Sequence, residues 1–234
     1  MPLVRLKLPD TLPPVPPEVA RFIADARSRI DAFVESRLAT PIPAFVPSDY
    51  ALVYGALRHV ADEHLAAGPR FCEWGSGAGV IACLAAMVGF EACGIEFEAD
   101  LVDLSIRLAR HHHLKVAFCR GNLVPYGGQE IAEGVDEFEW LAVGGPDPYE
   151  PLGLEIEDFD VVFAFPWPGE ERVIGRLFDR FASDGALLMT YNDTEGIRLF
   201  RRRSTRPRRQ KQGRRPVPGA LCGRGGLRRL PFER

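Results

Sequence analysis

The chain has 234 residues, of which 46% are apolar, and a formal net charge of −3, enough length for one α/β domain with modest additions. Glu91 interrupts the longest apolar run before it reaches the roughly 18 residues a membrane span needs, and prolines occupy the place of a signal peptide's apolar core, so the expectation is a cytoplasmic protein without a membrane partner. The small net charge conceals a division: residues 1–197 hold 15 Lys/Arg and 31 Asp/Glu, net −16, whereas residues 198–234 hold 14 and 1, net +13.

Residues 1–17 are proline-rich and read as extended chain. From Glu18, the apolar positions Val19, Phe22, Ile23, Ala26, Ile30, Phe33 and Val34 recur at helical spacing and predict an amphipathic helix ending near Leu38, where TPIPAFVP breaks it. Ser48 has the chemistry of an N-cap, and Tyr50, Val53, Tyr54, Leu57, Val60, Ala61 and His64 then share one face of a second helix reaching Gly68. Residues 1–47 are expected to form an N-terminal extension and helix, 48–200 the main domain, and 201–234 a basic tail.

The most informative stretch is Phe71 to Glu96, FCEWGSGAGVIACLAAMVGFEACGIE. A short apolar run meets glycines at alternate positions, Gly75, Gly77 and Gly79, followed by an apolar helical pattern and a second short run that ends in Glu96. Glycines at that spacing let a ligand approach the main chain, and the following helix aims its free amides at the same place. A carboxylate at the end of the second strand sits where a doubly wound sheet hydrogen-bonds a ribose diol. The dinucleotide fingerprint is incomplete, because its third glycine position is Val80, and the chain has no G-x-x-x-x-G-K-[ST] loop. A nucleoside ligand without phosphates remains.

Glu73-Trp74-Gly75-Ser76-Gly77-Ala78-Gly79 resembles motif I of the class I S-adenosylmethionine-dependent methyltransferases, and GIEFEADLVDLSIRLARHHHL is similar to that family's second strand, ribose acid and following helix. The resemblance spans roughly Arg70 to Tyr191. It implies a doubly wound, Rossmann-like, mostly parallel sheet preceded by helices, with S-adenosyl-L-methionine as cofactor. It also implies that Glu73, Gly75, Ser76, Gly77 and Gly79 surround the methionine end, that Glu96 holds the ribose, and that Phe97 and Asn122 meet adenine. Two carboxylates suit a ligand carrying a sulfonium and an ammonium. Elements preceding the first strand often lie across the cofactor in this family, so Asp49, Tyr50 and Tyr54 are lid candidates; alternatively the tyrosines pack the helix onto the sheet.

Further along, Leu101, Leu104 and Leu108 stripe a helix, and Lys115 to Cys119 read as a third strand. Family members usually carry an acid near Asn122. An asparagine carbonyl can still accept the adenine amino group, or it can stabilise a turn. Residues 123–158 are acidic and glycine-containing, with an extra strand expected at Phe138 to Val143; they read as an insertion that selects substrate or as a solvated face.

Phe159 to Phe165 predicts a buried strand, followed at its carboxyl end by Pro166-Trp167-Pro168-Gly169-Glu170-Glu171. Amino-methylating relatives have [DN]-P-P-[YFW] here. Ala164 and Phe165 supply no polar acceptor, which disfavours methylation of adenine or cytosine amino groups. Pro166, Trp167 and Glu170 are the substrate-side candidates, Trp167 to stack on a planar or cationic substrate and Glu170 or Glu171 to orient or deprotonate a nucleophile. Alternatively Pro168 and the acids simply open a helix. A fifth strand is expected from Ala186 to Tyr191, and Gly196 to Phe200 as a short strand.

The closing strands of the family fold are then expected to be missing or replaced, because the remaining residues are arginine-rich and too polar to order themselves. This tail reads as a nucleic-acid-binding arm, a functionless solvated segment, or a sequence accident that leaves the fifth strand without a neighbour. An acidic body argues against nucleic acid as the domain's own substrate. The five cysteines, Cys72, Cys83, Cys93, Cys119 and Cys222, read as buried thiols, and His111-His112-His113 as a polar helix end, so no metal site is expected. The leading expectation is a methyltransferase of unknown acceptor; the alternatives are a non-catalytic S-adenosylmethionine-binding protein or a nucleic-acid methyltransferase that uses its arginine tail.

Overall fold

The computed structural model describes residues 3–38, 46–133 and 144–203. Its strands and helices, in chain order, are β1 (Leu3–Leu6), α1 (Pro17–Ser36), α2 (Tyr50–Asp62), β2 (Arg70–Trp74), α3 (Val80–Val88), β3 (Glu91–Glu96), α4 (Ala99–His111), β4 (Ala117–Arg120), α5 (Gln129–Glu133), α6 (Tyr149–Leu152), β5 (Val161–Ala164), α7 (Glu171–Phe181), β6 (Leu187–Asn192) and β7 (Gly196–Arg202). The strands form one sheet in the order β1-β7-β6-β5-β2-β3-β4. The five strands from β6 to β4 run parallel, whereas β7 is antiparallel to β6 and β1 antiparallel to β7.

Period-two alternation distributes each strand between two cores. On one face Phe71, Ala92, Phe118, Phe163 and Met189 pack against α1 to α4. On the other Cys72, Cys93, Cys119, Val162 and Leu188 meet α6 and α7. All five residues of β2 are buried, as a central parallel strand covered on both sides requires. Cys72, Cys83, Cys93 and Cys119 are buried free thiols, as their sequence contexts predicted. No helix among the described residues is long and apolar enough to cross a membrane.

Several local expectations are corrected. Asp49, not Ser48, caps α2: its carboxylate accepts the Leu52 amide at 3.0 Å, and the helix ends at Asp62, short of Gly68. Pro168 does not open α7; it lies in the exposed turn before Glu170, which caps the helix. The expected strand at 138–143 and the tail beyond residue 203, including Cys222, lie outside the described residues.

The sheet edge differs most from expectation. The fifth parallel strand, β6, does not lose its neighbour: β7 pairs along it from Leu187↔Arg201 to Asn192↔Gly196. The tail boundary at Phe200 therefore falls inside a strand. Arg201 donates to the Leu65 carbonyl at 2.9 Å and Arg202 to that of Asp179 at 2.8 Å. The place of a further closing strand is taken by the N-terminal β1, which pairs with β7 from Leu3↔Arg202 to Leu6↔Leu199. Residues assigned to an extension thus complete the sheet, and α1 contributes Phe22, Ala26 and Ile30 to the core.

The histidine run ends α4 and ties it to α1. Asp25 of α1 accepts from Arg29 at 2.6 Å and lies 2.8 Å from His112 Nε2. The Arg29 hydrogen bond is the main influence holding the Asp25 carboxyl below its usual range. His111 and His112 stack edge to face, and their ligand atoms lie with that of Asp25 within 4.8 Å of one another. Two neighbouring histidines thus approach one carboxylate, closer than their helical directions suggested, but that carboxylate is already engaged by a guanidinium.

Candidate active site

The chain moves outward from β2 to β3 and β4, then crosses back to place β5 on the other side of β2. Strand order reverses there, and in open α/β sheets the crevice beyond the carboxyl ends at such a reversal is the ligand site. A cavity of about 560 Å³ occupies that position, lined by residues at the ends of β2, β3 and β5, within the range of small-molecule sites.

The glycine turn after β2 builds its floor. The Ser76 amide donates to the Ile95 carbonyl at 2.9 Å, and the Gly79 amide to the Ser76 carbonyl at 2.7 Å. Gly75 adopts φ +67°, and a Cβ there would meet nothing within 4 Å. The main chain is therefore bare toward the cavity. Gly79 adopts φ +73° as the N-cap of α3, and a Cβ would lie 2.5 Å from the Phe118 ring and from Ser105 Cβ. Its requirement is packing, and it does not line the cavity.

Two carboxylates brace this turn. Glu73, at the end of β2, accepts the Ala82 amide from the first turn of α3 at 2.8 Å. Glu96, at the end of β3, accepts the Gly77 amide at 2.7 Å through Oε2 and the Glu98 amide at 2.9 Å through Oε1. Both side chains are buried and line the cavity. Burial pushes the Glu73 carboxyl well above its usual range, opposed by the Ala82 amide and reinforced by the charge of Glu96. Burial also raises Glu96, against the pull of the Glu98 and Gly77 amides. Two adjacent acids raised in this way form a site that a cation relieves.

Solved structures of similar fold come from bacterial methyltransferases. An RNA methyltransferase from Salinibacter ruber, in complex with S-adenosyl-L-homocysteine, is 19% identical; the alignment covers 71% of this chain and 100% of that one, with a TM-score of 0.47. The O-methyltransferase from Bacillus cereus is 14% identical over 80% and 70% of the two chains, TM-score 0.48, and a methyltransferase from Geobacter sulfurreducens is 19% identical over 82% and 92%, TM-score 0.45. No protein-family model and no curated protein matches the chain. None of these likenesses assigns an acceptor.

The remaining sequence-predicted residues divide by what their atoms already do. Phe97 lines the cavity and is 38% exposed; a Cβ on Gly145 would approach its ring to 2.8 Å, so that ring lies under the 144–148 loop. Asn122 also lines the cavity, but its Oδ1 accepts the Val124 amide at 2.9 Å and its Nδ2 donates to the Gly144 carbonyl at 3.0 Å. Its observed work is to strap that loop, which the Asn122 amide also holds through Pro146 at 3.1 Å. Ser76 lines the cavity, yet its hydroxyl is tucked over Gly94, whose Cβ would lie 2.7 Å away.

Pro166, Trp167 and Glu170 all line the cavity, from the loop after β5. Glu170 is 5% exposed. Its Oε2 accepts the Trp167 amide at 3.0 Å, and its Oε1 is buried without a hydrogen-bond partner. Burial raises its carboxyl, with the Trp167 amide opposing. Of the three lid candidates, Tyr50 lines the cavity, whereas Asp49 and Tyr54 do not. Burial pushes the Tyr50 hydroxyl strongly upward, so it stays protonated as a donor.

Sequence reasoning missed Glu98 and Asp193 among the lining residues. Glu98 follows Glu96 by two positions and was within reach of the motif. Asp193 lies in the turn between β6 and β7, past the carboxyl end of a parallel strand, where the sheet-end rule alone would have flagged it.

Proposed function

We propose that this chain is a class I S-adenosylmethionine-dependent methyltransferase. The observation that carries the proposal is the pair of buried carboxylates, Glu73 and Glu96, fixed by main-chain amides on either side of a bare glycine turn at the strand-order reversal. A pyrophosphate is the wrong partner for those two acceptors, because both acids repel it. A ligand with a diol and an ammonium is the right one, since each carboxylate keeps acceptor capacity beyond the amides it already holds.

S-adenosylmethionine, when bound, supplies a methyl group activated toward displacement by its sulfonium. Glu73 would compensate the positive methionine end, Glu96 would accept from the ribose diol, and Phe97 would cover the adenine face. The 144–148 loop, strapped by Asn122, would close over that face and exclude water. Tyr50, Trp167 and Glu170 would position the acceptor, and holding nucleophile and methyl in line accounts for most of the acceleration such a site offers.

Calorimetric titration of the full chain with S-adenosylmethionine and, separately, with NAD tests this reading. Binding of the methionine cofactor with no binding of NAD is expected. Binding of NAD alone, or of neither, overturns it.

A further inference from the structure

The charges facing the cavity specify the acceptor, on the premise that the chain is a methyltransferase. Among the described residues that line it, five are acidic, Glu73, Glu96, Glu98, Glu170 and Asp193, and none is Lys, Arg or His. Glu73 and Glu96 are accounted for by the cofactor. Glu170 is not: it belongs to the loop after β5, is nearly inaccessible, and keeps one carboxylate oxygen without a partner. A buried, half-satisfied carboxylate persists where something else supplies the missing donor or the opposite charge.

Aromatic residues share the same lining. Phe165, Trp167 and Tyr50 line the cavity, and Phe165 is held edge to face against Tyr191 at 4.8 Å between centroids. Aromatic faces beside carboxylates attract cations, and more strongly away from water. An anionic acceptor would meet five acids and, among the described residues of the lining, no basic side chain, and a neutral hydroxyl would leave their field uncompensated.

We propose that the methyl acceptor is a basic amine carried on an apolar or aromatic body, with Glu170 accepting the proton that its ammonium must lose. Proton transfer to the Glu170 carboxylate frees the nitrogen lone pair. That pair forms the N–C bond as the C–S bond breaks with its electrons going to sulfur. The positive charge passes from sulfur to the methylated nitrogen, and the proton leaves Glu170 for solvent. No further reactant is needed.

The test uses full-length protein loaded with S-adenosylhomocysteine and three probes sharing one aromatic body: 2-phenylethylamine, 2-phenylethanol and phenylacetate. Calorimetry should show the amine binding about tenfold or more tighter than the alcohol, the scale of one cation–π contact plus a charge pair, and the carboxylate not binding. Glu170→Gln should abolish most of that preference while leaving affinity for S-adenosylmethionine unchanged, and Asp193→Asn, in an exposed turn, should reduce it less. Equal binding of alcohol or carboxylate, binding of none of the three, or an undiminished amine preference in both variants would overturn the acceptor class. Failure of the unmodified protein to bind either form of the cofactor would instead sink the methyltransferase reading on which it rests.

Discussion

Glu96 holds the main chain of Gly77 across the ends of two adjacent parallel strands, with 2.7 Å between carboxylate oxygen and amide. The same side chain therefore shapes the glycine turn and faces the ligand. Glu96→Ala removes both effects, and S-adenosylmethionine binding should weaken by about 1.5–3 kcal/mol, the value of a hydrogen bond to a charged group. Titration of the variant checks this, and unchanged affinity would remove Glu96 from the site.

Two glycines of one turn should respond differently to the same added methyl. In Gly79→Ala the methyl collides with Phe118 and Ser105 at a left-handed backbone position, so unfolding free energy should fall by about 2–5 kcal/mol. In Gly75→Ala the methyl meets only open cavity, and the stability loss should stay near the strain alone, about 1–2 kcal/mol. Cofactor affinity should fall more in the second variant than its stability loss suggests. Denaturant titrations beside calorimetry decide, and a reversed order of stabilities would contradict the packing argument.

Acidity should affect the ligand-free protein in an unusual sense. Glu73, Glu96 and Glu170 are all raised, in each case mainly by burial, from the usual carboxyl value of 4.5. A group that binds its proton more tightly when folded contributes stability that is fully present below the unfolded pKa and lost as pH rises through the folded one. The denaturation midpoint should therefore decline as pH climbs above 4.5 through the folded values. S-adenosylmethionine, as a cation, should flatten that decline and release protons on binding. Midpoints measured with and without ligand provide the comparison, and a ligand-free midpoint that rises over this range would show that these carboxyls do not govern it.

The N-terminal strand should act as an edge guard. Deleting residues 1–8 removes β1 and uncovers the outer side of β7. An uncovered strand edge is a template for association. Light scattering should report larger species at raised concentration, with a lower thermal midpoint. A truncated protein that matches the full chain in size and midpoint would assign β1 no protective part.

The parts of this molecule legible in the sequence are those fixed by short-range chemistry. Gly75, Gly77 and Gly79 between two apolar runs could hardly be anything but a strand-to-helix turn, and Glu96 was placed by counting to the end of the next run. Glu170 stood out because it follows a buried strand at its carboxyl end. What escaped depends on distant partners. LVRL at residues 3–6 carries no strand signal beside its prolines, and becomes β1 only because β7 offers free hydrogen-bonding groups nearly 200 residues later. Asn122 looked like an adenine contact because the motif resemblance places one there, whereas its side-chain carbonyl is taken by the nearby Val124 amide and its side-chain and main-chain amides by a loop that returns from residues 144–148. Ser48 and Asp49 are both capping residues, and only backbone direction chooses between them.

The union of Leu3 with Arg202 sets an order of events during synthesis. Of the strands in this sheet, a ribosome delivers β1 first and its partner last, so β1 emerges with nothing to pair with while the parallel strands assemble behind it. The sheet edge can close only after residue 202 has cleared the exit tunnel. A nascent chain stalled before that point would display an unpaired β6 margin and a free N-terminal strand, the surfaces on which chaperones act.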